Sequence, residues 1–317
     1  MSQSQQATVA ELGEFALIDA IQPVFRQGGD VVVGPGDDSA VLRVGSGQVV
    51  VSTDLLVENN HFRCDWSSAE DVGHKAAAAN LSDINAMGGT ATGMVIGLGV
   101  PGTLPVSWVT DLARGVSDEV ELTGTSVLGG DVTSSETIVL GVTVLGVCAT
   151  EPVRRSGARP GDVVAVCGRI GWSGAGLDVL SRGFRSPRSV VEAHLRPRPP
   201  YAAGPQAAEL GATAMVDLSD GLLGDLEHVA EASGVAIDIR AAGLVVAEPL
   251  RDVGAALGVD PVGYLLTGAE DYALAATFPE GAQLPAEWTV VGEVGRGSGV
   301  TVDGVEYDGP LGHQHFR

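Results

Sequence analysis

Short valine-rich runs bounded by glycine alternate along this chain with longer stretches of helical period. Residues 11–27 carry Leu12, Phe15, Ala16, Ile18 and Phe25 at helical spacing, which predicts an amphipathic helix. Residues 30–33, 40–44 and 48–53 read as strands. Ser68 followed three residues later by Asp71 resembles a capping box, opening a helix that runs to Met87 and stops at Gly88-Gly89. Its residues Ala76, Ala79, Asn80, Asp83 and Met87 share one face. A carboxylate among small packing residues is costly without a partner, which marks Asp83 as a candidate site residue. Residues 92–100 read as a strand, and Pro105 suits the first position of a helix reaching Leu122. A short strand over 125–128 ends at Gly129-Gly130-Asp131, and a longer one covers 136–148.

Turn residues and positive charge concentrate over 151–162, with Pro152, Arg154, Arg155, Gly157, Pro160 and Gly161, and this is the best boundary in the chain. Beyond it, 163–167, 214–217, 235–239, 272–278 and 289–294 read as strands. Helices are expected after Gly171, over 201–210, and from Ser219 as a cap. The fold class is α+β, built of two α/β domains at 1–149 and 150–317.

Composition narrows the function. The 317 residues are 44% hydrophobic with a formal charge of −22, which argues against nucleic acid or an anionic membrane surface as partner. Lys75 is the only lysine, and no Gly-Lys-Ser or Gly-Lys-Thr exists for a Walker-type phosphate loop. Cys64, Cys148 and Cys167 are isolated, which argues against structural zinc and for buried free thiols in a reducing compartment. The first ten residues lack a signal-peptide core and no apolar run reaches membrane-spanning length, so a cytoplasmic protein is expected.

The candidate chemistry is acidic. Gly36-Asp37-Asp38, Ser52-Thr53-Asp54, Asn80-Leu81-Ser82-Asp83, Gly129-Gly130-Asp131 and Asp217-Leu218-Ser219-Asp220-Gly221 each place Asp at the edge of an apolar segment. Any one of them reads equally as turn or cap chemistry. Their recurrence points to a pocket whose carboxylates tolerate one another through Mg²⁺ shared with a polyphosphate. Gly97-Leu98-Gly99-Val100-Pro101-Gly102 matches the dinucleotide glycine pattern literally, but Pro101 interrupts the helix that should follow. Gly171 to Gly176 reads as a phosphate cradle or as a close-packed helix start.

Together these stretches resemble the thiamine-monophosphate kinase family of the aminoimidazole ribonucleotide synthetase-like superfamily. The matching residues are Gly36-Asp37-Asp38, Ser52-Thr53-Asp54 with His61-Phe62, Lys75 through Asn80-Leu81-Ser82-Asp83-Ile84, and Gly129-Gly130-Asp131. Arg155-Ser156-Gly157-Ala158, Asp217 to Leu222, Glu270-Asp271-Tyr272 and His315-Phe316 continue the match. The resemblance implies ATP-dependent phosphorylation of thiamine monophosphate to thiamine diphosphate, the last step in making that cofactor. It also implies a homodimer with paired N-terminal sheets and several Mg²⁺ ions. By the family pattern Asp37, Ser52, Thr53, Asp54, Asp83, Asp131, Asp217 and Asp220 are metal positions. Gly130, Asp131, Arg155 and Ser219 are ATP contacts, and His61, Glu270 and Phe316 are substrate contacts. The chain departs from the pattern at Ala113, Ala269 and His313. The acceptor would be a phosphate with a second pKa of about 6, already ionised at neutral pH, so no general base is expected. Selenophosphate synthetases and hydrogenase-maturation proteins share the pattern but use a reactive cysteine that this chain does not place correspondingly. Aminoimidazole ribonucleotide synthetase is a further relative with the same pattern. A reading of a different class is a non-catalytic acidic scaffold that binds metal.

Overall fold

The computed structural model describes residues 31–33, 37–38, 40–44 and 47–313, so the expected helix over 11–27 lies outside the described residues. The first half contains β1 (Val31–Val33), β2 (Ala40–Val44), β3 (Gly47–Val57), α1 (Ala69–Ala86), β4 (Gly89–Val100), α2 (Val106–Glu121), β5 (Ser126–Ser134) and β6 (Val139–Cys148). Its six strands form one sheet in the order β1-β2-β3-β6-β4-β5. All pairings are antiparallel except β4 with β5.

Burial alternates along β6, with Leu140, Val142 and Val144 sealed beneath the helices. Leu56, Met94 and Leu98 join this core with Ala76, Leu81 and Ile84 of α1. Two glycines bring α1 against α2. A Cβ at Gly73 would lie 2.1 Å from the Leu112 carbonyl oxygen, and one at Gly115 would lie 2.0 Å from that of Glu70. Backbones therefore touch where side chains would otherwise hold the helices apart. The capping box at the start of α1 forms as its spacing suggests, with Ser68 and Asp71 bonding reciprocally.

The second half contains β7 (Val163–Cys167), α3 (Trp172–Ser181), α4 (Arg188–Leu195), α5 (Ala203–Glu209), β8 (Ala214–Leu218), α6 (Leu222–Ser233), β9 (Ala236–Ile239), α7 (Glu248–Leu257), α8 (Pro261–Thr267), β10 (Ala273–Phe278), β11 (Trp288–Gly295), β12 (Gly299–Val302) and β13 (Val305–Glu306). Its seven strands run in the order β13-β12-β9-β11-β7-β10-β8. One core lies under α3, α6 and α8. Another, with Ala86 of α1, Val153, Met215 and Phe278, joins the two halves.

Three expectations are corrected. The strand expected to end at Gly129 continues as β5 to Ser134, because a register shift opposite Met94 and Val95 absorbs Leu128 and leaves Gly129 and Gly130 paired with Val95 and Ile96. Gly129 sits at φ +147°, and a Cβ at Gly130 would lie 1.8 Å from the Ile96 carbonyl oxygen. Ser219 does not cap a helix. The chain turns through Gly221 at φ +123°, and the Asp225 carboxylate takes the Asp220 and Gly221 N–H groups, each at 3.0 Å. The cysteines are free, but only Cys167 is buried and Cys64 is exposed. Gly97 and Gly99 lie inside β4, paired on both sides, and so open no nucleotide-binding helix.

Candidate active site

The middle of β3, the last turns of α1 and the end of β8 meet where the halves join. Ser52 and Asp54 alternate with outward-facing Thr53 and so lie on the helix side of the sheet. Ser52 Oγ donates to Asp83 Oδ2 at 2.5 Å and to the Asp38 carbonyl at 3.3 Å. One turn of α1 then carries both Asp83 and Ser82, whose Oγ donates to Asp217 Oδ2 at 2.8 Å across the boundary. Asp217 is the penultimate residue of β8 and is buried.

Arg155 closes the site from the linker. Its backbone N–H donates to Asp37 Oδ2 at 3.2 Å, while Asp37 Oδ1 accepts from the Asp38 N–H at 2.9 Å. The guanidinium pairs with Asp38 Oδ1. Asp38 Oδ2 and Arg155 Nε are buried without a hydrogen-bond partner. Such orphans are rare unless a ligand or ion completes them.

The carboxylates hold protons abnormally. Burial, then the Asp38 charge, pushes Asp37 up to about 6. Burial raises Asp83 well above the usual range, with Asp54 and Asp217 adding to it. Burial also raises Asp217, reinforced by Asp38, and raises Asp225, reinforced by Asp220 and Asp217. This wedge is short of positive charge. Among the described residues no three His, Cys, Asp or Glu side chains converge tightly enough to enclose an ion by themselves. Mg²⁺ does not need that, since it usually takes one or two carboxylates and completes its octahedron with water and phosphate.

A second cluster lies beside the first. Lys75 Nζ pairs with Glu270 Oε2 at 3.0 Å, and His194 Nδ1 lies 3.5 Å from the same oxygen. Burial would raise Glu270, but the Lys75 ammonium outweighs it and holds this carboxyl below its ordinary value. Glu270 at φ +61° and Tyr272 at φ +50° occupy the left-handed region. Their N–H groups donate to the Ser219 and Leu218 carbonyls at 2.7 and 2.9 Å, which ties this strained turn to the end of β8. Between them Asp271 accepts from the Gly171 N–H at 2.5 Å and the Ser173 N–H at 2.8 Å, so the start of α3 is occupied by a protein carboxylate. His61 Nδ1 accepts from the Val57 N–H at 3.0 Å.

Other expected residues sit apart. The Thr53 hydroxyl donates to the Val142 carbonyl at 2.9 Å and meets Thr143 Oγ1 at 3.0 Å on the outer face, so this side chain points away from the wedge. Asp131 registers with Gly97, Gly97 with Gly141, and Gly141 with Leu55, so Asp131 shares the outer face with exposed Leu55. Three strand spacings, roughly 14 Å, separate it from β3. Within one chain it does not join the wedge. Phe316 lies outside the described residues, but the chain leading to it is anchored where the His313 N–H donates to the Asp220 carbonyl at 3.0 Å. Asp38, weighed in the sequence as part of Gly36-Asp37-Asp38, joins the site through Arg155, and Ser82 and Asp225 join it without being expected there. Ser82 and Asp38 lie inside the acidic motifs, whereas Asp225 carries no motif signal.

Two family models match this chain: "AIR synthase related protein, N-terminal domain" over residues 36–148 and "AIR synthase related protein, C-terminal domain" over 159–305. The thiamine-monophosphate kinase of Mycobacterium tuberculosis is 45% identical over 316 residues, covering 99% of this chain and 94% of its own. The chain belongs to the thiamine-monophosphate kinase family. Among solved thiamine-monophosphate kinases, "AaThiL complexed with AMPPCP and TMP" superposes with a TM-score of 0.89 at 36% identity, covering 98% of this chain and 99% of that one. The thiamine monophosphate kinase of Aquifex aeolicus gives 0.85 at 33% identity, covering 96% and 100%.

Proposed function

We propose that this chain phosphorylates thiamine monophosphate to thiamine diphosphate with ATP, by direct in-line transfer and with Mg²⁺. The single observation that carries the reading is the junction wedge, in which Asp83 and Asp217 are raised by burial and by neighbouring carboxylates while Asp38 Oδ2 has no partner. It is supported by 45% identity over nearly the whole chain to a thiamine-monophosphate kinase.

The residues fit Mg²⁺. Asp37, Asp54, Asp83, Asp217 and Asp220, with Ser52 and the Thr53 carbonyl, supply hard oxygen donors from both halves. When bound, Mg²⁺ shields the negative charge of two phosphates that must approach in line. The chain does the rest by positioning. Arg155, held by Asp38, supplies a fixed cation at the nucleotide side, and Ser219 adds a hydroxyl from the turn after β8. Glu270 sets a negative charge toward the thiazolium ring, with His61 beside it and Phe316 as the aromatic wall. The acceptor phosphate is already ionised, so no side chain needs to remove a proton.

The reading includes a homodimer. The outer face of the first sheet exposes Leu55, Val95, Leu128 and Val147, a patch that a twofold pairing would bury. Gly130 and Asp131 lie on the strand at that edge, so pairing is what would bring them to a nucleotide. The two domains are assigned to 1–149 and 150–317, and the protein to the cytoplasm; no described helix is long and apolar enough to cross a membrane.

The test is ADP release measured with ATP and Mg²⁺ against a panel of acceptors. Release that depends on thiamine monophosphate is the expected result. Release with another acceptor of the superfamily, or with none, overturns the reading.

A further inference from the structure

Lys75 is the only lysine of the chain and is buried in α1, a position where that residue is seldom found without a specific partner. Its partner is Glu270, 195 residues away on the turn before β10. Lys75 belongs to the first half and Glu270 to the second, so the pair spans the junction that forms the active site.

Three features separate this contact from an incidental ion pair. Glu270 is held at φ +61°, a conformation that a non-glycine residue keeps only when its surroundings impose it. Its N–H is fixed to the Ser219 carbonyl at 2.7 Å, so backbone and side chain are clamped from opposite sides. The other group on Oε2, His194, is buried and meets Ser173 Oγ at 3.0 Å through the nitrogen that faces Glu270. Burial and the Lys75 charge push His194 down to about 3, so it is neutral at working pH and Lys75 supplies the formal charge of this trio. Both contacts use Oε2, while a quarter of the Glu270 side chain remains accessible.

We propose that Lys75 is a positioning residue for thiamine monophosphate: by holding Glu270 Oε2 from α1, it aims the carboxylate at the cationic thiazolium and makes the substrate side of the pocket depend on the two halves being docked. The proposal rests on the kinase reading above. Lys75 itself touches neither substrate nor nucleotide and acts only through Glu270.

The experiment compares wild type with Lys75→Met, Lys75→Arg, Glu270→Gln and the Lys75→Met/Glu270→Gln pair, measuring KM for thiamine monophosphate and for ATP separately, together with melting curves. Lys75→Met is expected to raise the thiamine monophosphate KM by about tenfold or more, the effect of some 1.4 kcal/mol, with the ATP KM within about twofold of wild type. Lys75→Arg is expected to recover most of the loss. In the Glu270→Gln background, Lys75→Met should add nothing, since the residue it serves is gone. If Lys75→Met alone does not fold, because a buried carboxylate is left unpaired, the double variant decides. A further rise in its thiamine monophosphate KM over Glu270→Gln overturns the proposal. So does a folded Lys75→Met enzyme with unchanged substrate KM, or one in which both KM values rise together. A wild-type enzyme inactive with thiamine monophosphate sinks the kinase reading itself, and the proposal with it; an active wild type beside an unaffected Lys75→Met sinks only the proposal.

Discussion

Ser82 on α1 donates its hydroxyl to Asp217 Oδ2 at 2.8 Å, joining a helix of the first half to a strand of the second. Both residues are buried, and the bond is one of the two influences that lower an otherwise strongly raised Asp217. Ser82→Ala leaves that carboxylate oxygen without its donor. The expected cost is about 1–3 kcal/mol of stability, seen as a lower Tm without Mg²⁺. Its neighbour Asp83 keeps the Ser52 bond, so turnover at saturating Mg²⁺ should survive, at a higher Mg²⁺ requirement. A Tm unchanged from wild type would remove Ser82 from the junction.

How far such contacts are legible in the sequence depends on the distance they span. β7 and β10 are apolar runs, and their limits are legible within a residue. β5 reads too short because Gly129-Gly130 looks like a stop, and only pairing with β4 shows that the bulge carries the strand through. Aspartates at segment ends are visible because burying a charge there demands a reason. Lys75 with Glu270, and Ser82 with Asp217, join segments 195 and 135 residues apart, and no local pattern encodes such a contact. Asp225 is invisible because a carboxylate one turn inside a helix reads as surface, until Gly221 turns the chain back onto it.

The α1–α2 contact gives a test of packing. Gly115→Ala should gain up to about 1 kcal/mol of helix propensity. Against this, its Cβ would sit 2.0 Å from the Glu70 carbonyl oxygen, which is backbone and cannot rotate away. Separating the helices costs about 1–3 kcal/mol or more, so the net effect is destabilising. A drop in Tm of several degrees is expected, and a rise would show that the helices can part freely.

The raised carboxylates fix a pH dependence. Asp37 titrates near 6 in the folded protein, chiefly because it is buried, and near 4 when unfolded. Between about pH 4 and 6 the folded state therefore binds more protons, and this group's contribution to stability falls as pH rises. Asp83 and Asp217 shift in the same direction. Mg²⁺ competes with those protons, so its stabilisation should be small near pH 5 and grow toward pH 8. Melting curves with Mg²⁺ and with EDTA across this range check it. The metal-free Asp37→Asn variant should lose less stability than wild type from pH 4 to 6; an equal loss would refute the assignment.

Arg155 is fixed by Asp38, whose side chain is almost fully buried. Arg155→Met strands that carboxylate and should cost about 3–5 kcal/mol, the usual result of breaking a buried pair from one side. Arg155→Lys keeps the charge but not the guanidinium geometry, so stability should recover more than nucleotide affinity. The measurement is Tm beside the ATP KM for both variants. Equal recovery of the two quantities would mean that Arg155 is structural only.

Asp83 and Asp131 make the sharpest contrast, because one is built into the junction and the other lies exposed on β5. Asp131→Ala removes an exposed side chain and should leave stability within about 0.5 kcal/mol of wild type. Its turnover should nonetheless fall by about 100-fold or more if a second copy carries it to the nucleotide, the upper range for loss of an outer metal partner. Asp83→Ala should also abolish turnover, but it removes a repelling charge from the wedge, so metal-free stability should hold or rise. Mixing the two inactive variants then separates the geometries. If Asp131 serves the partner's wedge, a mixed dimer pairs both lesions in one site and leaves the other intact, and activity reappears on mixing. If each wedge uses its own Asp131, both sites of a mixed dimer are damaged and no activity returns.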